Sequence, residues 1–160
     1  IMALNGTAGG GGFSLALSGD YVIASEKAKF VSAYTASGLT PDGSSTYYLA
    51  KHIGLLRAKE LMLTNRVLTA QEALDWGLVN KVVAPAEVLP EAQSIARHIA
   101  AGPTAAYGGV KRLLDTAFSD GLETQLDRET RSIADAMRTS DGPAGIASFL
   151  AKQTPTFTGK

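Results

Sequence analysis

The 160-residue chain contains no cysteine. That absence removes disulfides, thiol nucleophiles and thiolate metal sites, and it suits a reducing compartment such as the cytoplasm. Histidine is scarce as well. The two present, His52 and His98, each fall inside a helical pattern with no carboxylate beside them, so they do not read as a metal pair. Charge of one sign is lacking too: fifteen basic residues balance fifteen acidic ones, which argues against nucleic acid or an anionic membrane as partner. No apolar run approaches the roughly 20 residues of a membrane span. The start, "IMALNG", has neither the basic region nor the cleavage signature of a signal peptide.

What is present is the composition of a globular domain, 45% apolar and 19% charged, with enough length for a real core. "IMALN" reads as the last part of a buried strand. A chain that starts inside a strand resembles a piece of something longer, so a preceding N-terminal segment is expected. Four consecutive glycines, Gly9 to Gly12, then lead into "GFSLALSGD", which reads as a short helix ending at Gly19. "YVIAS" and "AKFVSAY" read as strands, with Glu26, Lys27 and Lys29 on a solvated hairpin edge. "GLTPDGSST" is loop chemistry, and Asp42, Ser44 or Ser45 can cap the helix "STYYLAKHIG" that follows. "LLRAKELMLT" continues helical. A capping box at Thr69 and Glu72 opens "LTAQEALDWG", where Trp76 reads as core, and "LVNKVV" is a further strand.

From Pro90 onward the pattern is helical. Three amphipathic segments carry apolar stripes, for example Val110, Leu113, Leu114 and Phe118 on one and Leu122, Leu126, Ile133 and Met137 on another. The composition thus shifts from β/α mixture to all-helix, dividing the chain into residues 1–95 and 96–160. Three helices with so little core of their own to cover more often pack on a neighbouring domain or subunit than stand alone.

The glycine run does not fit a phosphate-binding P-loop, because Gly12 is followed by Phe13 and Ser14 rather than Lys and Ser or Thr. Ser14 is also marginal at the small-residue position of a dinucleotide fingerprint, and the short helix leaves no room for the βαβ unit. Two readings stay open: close strand–helix packing, or an oxyanion hole of glycine N–H groups at a helix N-terminus. Asp42 also carries two readings. It is a helix cap or Asx-turn, or a carboxylate held on a rigid turn as general base or nucleophile, desolvated by Leu39, Tyr47 and Tyr48. Ser44 and Ser45 lack a paired base.

The order of glycine cluster, "SLALSGDYVIASEKAKF", "GLTPDGSST" and "LRAKELMLTNRVLTAQEALDWGLVNKVV" resembles the enoyl-CoA hydratase/isomerase (crotonase) superfamily. The resemblance runs through almost the whole chain and corresponds to the C-terminal two-thirds or so of a usual member. It implies an α/β fold, the C-terminal part of a ββα spiral over residues 1–95, followed by a helical trimerisation region over 96–160. It also implies an acyl-CoA thioester as substrate, coenzyme A as part of that substrate with no further cofactor, and a homotrimer or hexamer. The Gly11 N–H is then the second oxyanion donor, the first lying in the preceding segment. The two glutamates of hydratases fall at Ser14 and Tyr34, which puts simple hydration in doubt. Asp42 matches a carboxylate of two branches. One is the phenylacetate-pathway ring-epoxide-CoA isomerases, which "PD" and "SFLAKQTPTFTGK" resemble. The other is an aryl-CoA dehalogenase branch, in which the Asp is a nucleophile and an aromatic eight residues earlier helps hold it; Tyr34 stands at that position here in place of the branch's Trp. Phe149 and Lys152 match positions that contact the adenine end of coenzyme A. The expectation is an acyl-CoA double-bond isomerase. The alternatives are an enoyl-CoA hydratase, a dehalogenase or thioesterase-like enzyme, and a non-catalytic CoA-ester-binding assembly module.

Overall fold

The run Val22–Ser25 is buried at every position, the pattern of a strand covered on both faces. In the computed structural model, which describes all residues from Ile1 to Lys160, this run is β3. It lies between β1 (Met2–Leu4) and β6 (Lys81–Val83) and runs parallel to both. Met2 stands opposite Val22, and Ile23 stands opposite Lys81. A second three-stranded sheet is ordered β2 (Ala8–Gly9), β4 (Lys29–Val31), β5 (Leu68–Thr69). There β2 is parallel to β4 and β5 antiparallel to it. The expected hairpin around Glu26–Lys29 is therefore corrected: β3 and β4 join different sheets, and the intervening turn is closed by the Ala28 N–H donating to the Ser25 carbonyl at 2.9 Å.

Three helices complete this part of the chain. The first, α1 (Gly11–Leu17), buries Phe13, Ser14, Ala16 and Leu17, with the Phe13 ring 5.6 Å from that of Phe30 on β4. It stops two residues short of Gly19, an ordinary displacement for a helix end. The second, α2 (Ser45–Thr64), is broken at Gly54, whose φ of 76° and ψ of 163° no helix contains. This is where the sequence pattern separates two helical segments. Leu49 and Leu61, one from each half, are sealed in the core with Phe30 and Leu68. Burying each such side chain is worth about 1.5–3 kcal/mol. The third, α3 (Ala70–Asp75), opens on the expected capping box: the Glu72 N–H donates to Thr69 Oγ1 at 3.2 Å, and the Thr69 N–H donates to Glu72 Oε2 at 2.9 Å. The Thr69 N–H, the Thr69 hydroxyl and the Arg66 guanidinium together hold the Glu72 carboxyl below its ordinary value. Trp76 packs against the core with the Arg57 guanidinium 4.6 Å from its ring centre.

The chain divides into two compact units, Ile1–Ile95 and Ala96–Lys160, and both sheets lie in the first. Helix α4 (Val88–Ala100) carries the chain from one range into the other, and α5 (Thr104–Thr116) and α6 (Leu122–Ala136) follow. A further helix, α7 (Asp141–Leu150), is not among the three expected ones, because "DGPAG" at its start reads as turn chemistry. Its first residue ties down the tail. Asp141, 5% exposed, accepts from the Thr158 N–H at 2.8 Å, from the Thr158 hydroxyl at 3.0 Å and from the Gly159 N–H at 2.7 Å.

Candidate active site

At Gly10 the chain leaves β2 and enters α1 with φ 52° and ψ −122°, a conformation that a Cβ would strain. Gly10 is therefore the residue of the run that the backbone requires. Its N–H is spent on the Val31 carbonyl at 3.1 Å, and its own carbonyl accepts from Phe13 and Ser14 at 3.0 Å. Gly11 is the first helical residue, so its N–H has no partner inside the helix and points out of the helix end. A Cβ on Gly12 would meet nothing within 4 Å. Gly12 lines a cavity of about 180 Å³ whose other walls include Asn5, Gly6, Thr7 and Ala8. Within the run, then, Gly10 makes the turn into α1, and a Cβ would meet nothing within 4 Å at Gly12 and only the Tyr34 hydroxyl, at 3.8 Å, at Gly11.

Ser14 lies one turn into α1 and is 2% exposed. Its hydroxyl is 3.0 Å from the Asp42 carbonyl, 3.3 Å from the Gly10 carbonyl and 3.2 Å from the Tyr34 hydroxyl. The side chain thus stitches the helix to the "PDGSS" turn. Gly43 fits against it closely. With φ at 60° and a notional Cβ only 2.9 Å from the Ser14 Cβ, position 43 admits no larger residue without shifting the turn.

Asp42 does not cap α2. The N-cap position is Ser44, with φ 64° and no side-chain cap bond, and the Ser45 hydroxyl donates to the Asp42 carbonyl at 3.0 Å. The Asp42 carboxylate instead accepts a 2.6 Å hydrogen bond at Oδ1 from the Tyr34 hydroxyl, and is otherwise exposed. The expected desolvation by neighbours is corrected within this chain, since Leu39 and Tyr47 are themselves exposed and Tyr48 is only half-buried. Tyr34 also links the turn to the glycines: its hydroxyl is 3.8 Å from where a Gly11 Cβ would stand. Gly11, Ser14, Tyr34 and Asp42 therefore form one contiguous cluster in the first unit. The dehalogenase-branch resemblance implies an aromatic at position 34 that helps hold Asp42, and the Tyr34 hydroxyl does bond its carboxylate.

Phe149 and Lys152 belong to the second unit, at the end of α7. The Phe149 ring is 80% exposed, and the Lys152 N–H donates to the Phe149 carbonyl at 3.1 Å, with Lys152 at φ 54°. No group of three or more His, Cys, Asp or Glu side chains is gathered to hold a metal ion. No helix is long and apolar enough to cross a membrane.

Comparison with known proteins gives the same family along the whole length. A family model described as enoyl-CoA hydratase/isomerase matches residues 1–160. The chain is 42% identical over 160 residues to 1,2-epoxyphenylacetyl-CoA isomerase of Escherichia coli (strain K12), covering 100% of this chain and 61% of that protein. It is 39% identical over 164 residues to crotonyl-CoA hydratase of Syntrophomonas wolfei subsp. wolfei, again covering all of this chain and 62% of the relative. Among solved structures, an enoyl-CoA hydratase from Polaromonas sp. JS666 superposes with a TM-score of 0.90 at 38% identity, covering 96% of this chain and 60% of that one. The chain thus spans about three-fifths of the length of these relatives.

Proposed function

The chain belongs to the enoyl-CoA hydratase/isomerase family and has its crotonase fold, and on that premise we propose that it is part of an acyl-CoA double-bond isomerase. Asp42 is the base: it takes a proton from the allylic carbon of a 3-enoyl-CoA and returns it further along the chain. The Gly11 N–H holds the thioester oxygen while enolate charge rests there, one of two donors, the other lying outside these residues. Such a donor is typically worth about 3–4 kcal/mol of barrier. Coenzyme A is carried by the substrate and needs no further cofactor, with Phe149 and Lys152 receiving its adenine end. The helical second unit assembles a homotrimer or hexamer, and the reaction belongs in the reducing cytoplasm.

The observation that carries this reading is the pairing of Asp42 with Tyr34 beside Gly11. A carboxylate stands next to the open helix end, while Ser14 and Tyr34, at the positions of the hydratase glutamates, supply hydroxyls that cannot act as carboxylate bases. The 42% identical relative named as an isomerase points the same way. The 39% identical crotonyl-CoA hydratase favours a second reading, addition of water to a 2-enoyl-CoA. One comparison separates them. In the isomerase, Asp42→Asn lowers the conversion of 3-hexenoyl-CoA to 2-hexenoyl-CoA by roughly a hundred-fold or more, and crotonyl-CoA gains no water. Full isomerisation by Asp42→Asn protein sinks the assignment, and rapid hydration of crotonyl-CoA moves it to the second reading.

A further inference from the structure

From Asp141 to Lys160, helix and tail form a hairpin that is fastened at both ends. At one end α7 closes in a Schellman motif: the Gln153 N–H donates to the Ser148 carbonyl at 2.9 Å, and the Lys152 N–H to the Phe149 carbonyl at 3.1 Å. That motif needs a left-handed residue at its bend, where glycine is the usual occupant, yet the residue here is Lys152 at φ 54°. The tail then returns along the helix. Midway, the Phe157 ring lies against Gly145, where a Cβ would stand 3.3 Å from it. At the far end Asp141, the first residue of α7, accepts from the Thr158 N–H, the Thr158 hydroxyl and the Gly159 N–H. The Asp141 N–H and the Ser140 hydroxyl donate in turn to the Lys160 carbonyl, at 3.1 Å and 2.5 Å. Gly159 is also wedged against the start of α5, since a Cβ there would stand 2.5 Å from Thr104 Oγ1.

We propose, resting on the reading of Phe149 and Lys152 as the receivers of the adenine end of coenzyme A, that Asp141 is a positioning residue for that subsite. By clasping the tail to the start of α7 it fixes the bend at the other end, and with it the placement of Phe149 and Lys152. A strained left-handed residue other than glycine persists only where the surrounding structure holds it. Glycine would make this bend without strain; lysine there puts a compact cation at a fixed place beside an aromatic residue that is 80% exposed. The pair suits an anionic nucleotide with a purine ring. With the tail unfastened, the bend relaxes and both side chains spread over their rotamers. Ordering them then falls to the ligand, and affinity drops.

The test measures binding rather than turnover, so it does not depend on which reaction the enzyme performs. Hexanoyl-CoA, which has no double bond to move, and hexanoyl-pantetheine, which lacks the nucleotide, are titrated calorimetrically into the complete gene product. Asp141→Asn is expected to weaken hexanoyl-CoA roughly ten-fold, the order expected when two side chains must be ordered on binding. The Kd of hexanoyl-pantetheine is expected to hold. Thr158→Val, which removes one of the bonds to Asp141, shifts hexanoyl-CoA in the same direction by less, and it decides the matter if Asp141→Asn does not fold. Lys152→Gly relieves the left-handed strain, so Tm is expected to rise while hexanoyl-CoA binds more weakly. Equal weakening of both esters by the clasp variants, or weakening of neither, overturns the positioning role. The two readings fail separately: Lys152→Gly protein that binds hexanoyl-CoA as tightly as wild type rejects the adenine subsite itself. Weakening by Lys152→Gly alone, with both clasp variants at wild-type affinity, rejects only the part played by Asp141.

Discussion

The two units of this chain treat their apolar residues in opposite ways. In Ile1–Ile95, Ile23, Phe30, Leu49, Leu61 and Leu68 are sealed from solvent, and the exposed leucines of α2, Leu55, Leu56 and Leu63, are additional to that core. In Ala96–Lys160 the buried residues are Gly109 and Asp141, and neither supplies an apolar side chain to a core. Val110 and Leu114 on α5 stay open, as do Leu122, Leu126 and Ile133 on α6 and Phe149 and Leu150 on α7. A cavity of about 410 Å³ between α5 and α6, with Gly109, Val110, Leu113, Ile133 and Ala136 among its walls, shows the same incomplete filling. An amphipathic stripe records that a helix has a face to cover; it does not record that its own chain covers it. The candidate catalytic cluster sits in the unit that owns a core, where a 2.6 Å hydrogen bond can be held in place.

The largest expected effect is a direct probe of that contrast. Leu49→Ala removes a fully buried side chain from the junction of α2 with the core and is expected to cost about 2–5 kcal/mol, read as a lowered urea midpoint. A loss under about 1 kcal/mol would mean that the first unit is no better packed than the second, and the contrast would collapse.

How far the sequence discloses this arrangement depends on how local the cause is. Thr69 and Glu72 make a capping box because the reciprocal bonds need only residues three apart, so the motif is readable directly. The strands at Met2–Leu4, Val22–Ser25 and Lys81–Val83 follow from apolar or β-branched runs. The two-residue strands β2 and β5 are too short to leave a pattern, and their pairing to β4 is decided by tertiary context. Likewise, the local pattern of "PDGSS" allows Asp42 to cap its helix, and it is the resemblance, not the pattern, that implies an aromatic eight residues back to hold it. That choice depends on the left-handed turns at Ala33, Gly43 and Ser44, which propensity alone would not place. The four glycines read as either close strand–helix packing or an oxyanion hole, and that Gly10 rather than Gly11 makes the turn shows only in the dihedral angles.

A smaller effect is expected where the second unit does have a buried polar anchor. The Thr158 N–H, followed by the Gly159 N–H, the Thr158 hydroxyl and the Lys160 main chain, hold the Asp141 carboxyl below its ordinary value of 3.8 despite burial, which acts the other way. A carboxyl whose folded value is depressed stabilises the fold above the unfolded value and loses that contribution as pH falls through it. Asp141→Asn is therefore expected to lower Tm at neutral pH, and the gap from wild type should narrow once pH falls below 3.8. An equal gap at pH 7 and pH 3 would show that shape rather than charge fastens the tail to α7.

The smallest effect is expected at Leu122, 75% exposed at the start of α6. At a dilution where the chain is monomeric, Leu122→Ala should change the unfolding free energy by no more than about 0.5 kcal/mol, as for surface positions generally. At higher concentration the proposed self-assembly makes stability concentration-dependent, and the same substitution should then lower Tm relative to wild type. The pair of concentrations is what gives the measurement its force. A cost at dilution equal to that of Leu49→Ala would mean that the stripe is covered within one copy, and the difference between the two units would reduce to one of helix content. A cost that emerges only on concentration locates the missing core of Ala96–Lys160 in the neighbouring copy, and makes the second unit's exposed face the counterpart of the first unit's sealed one.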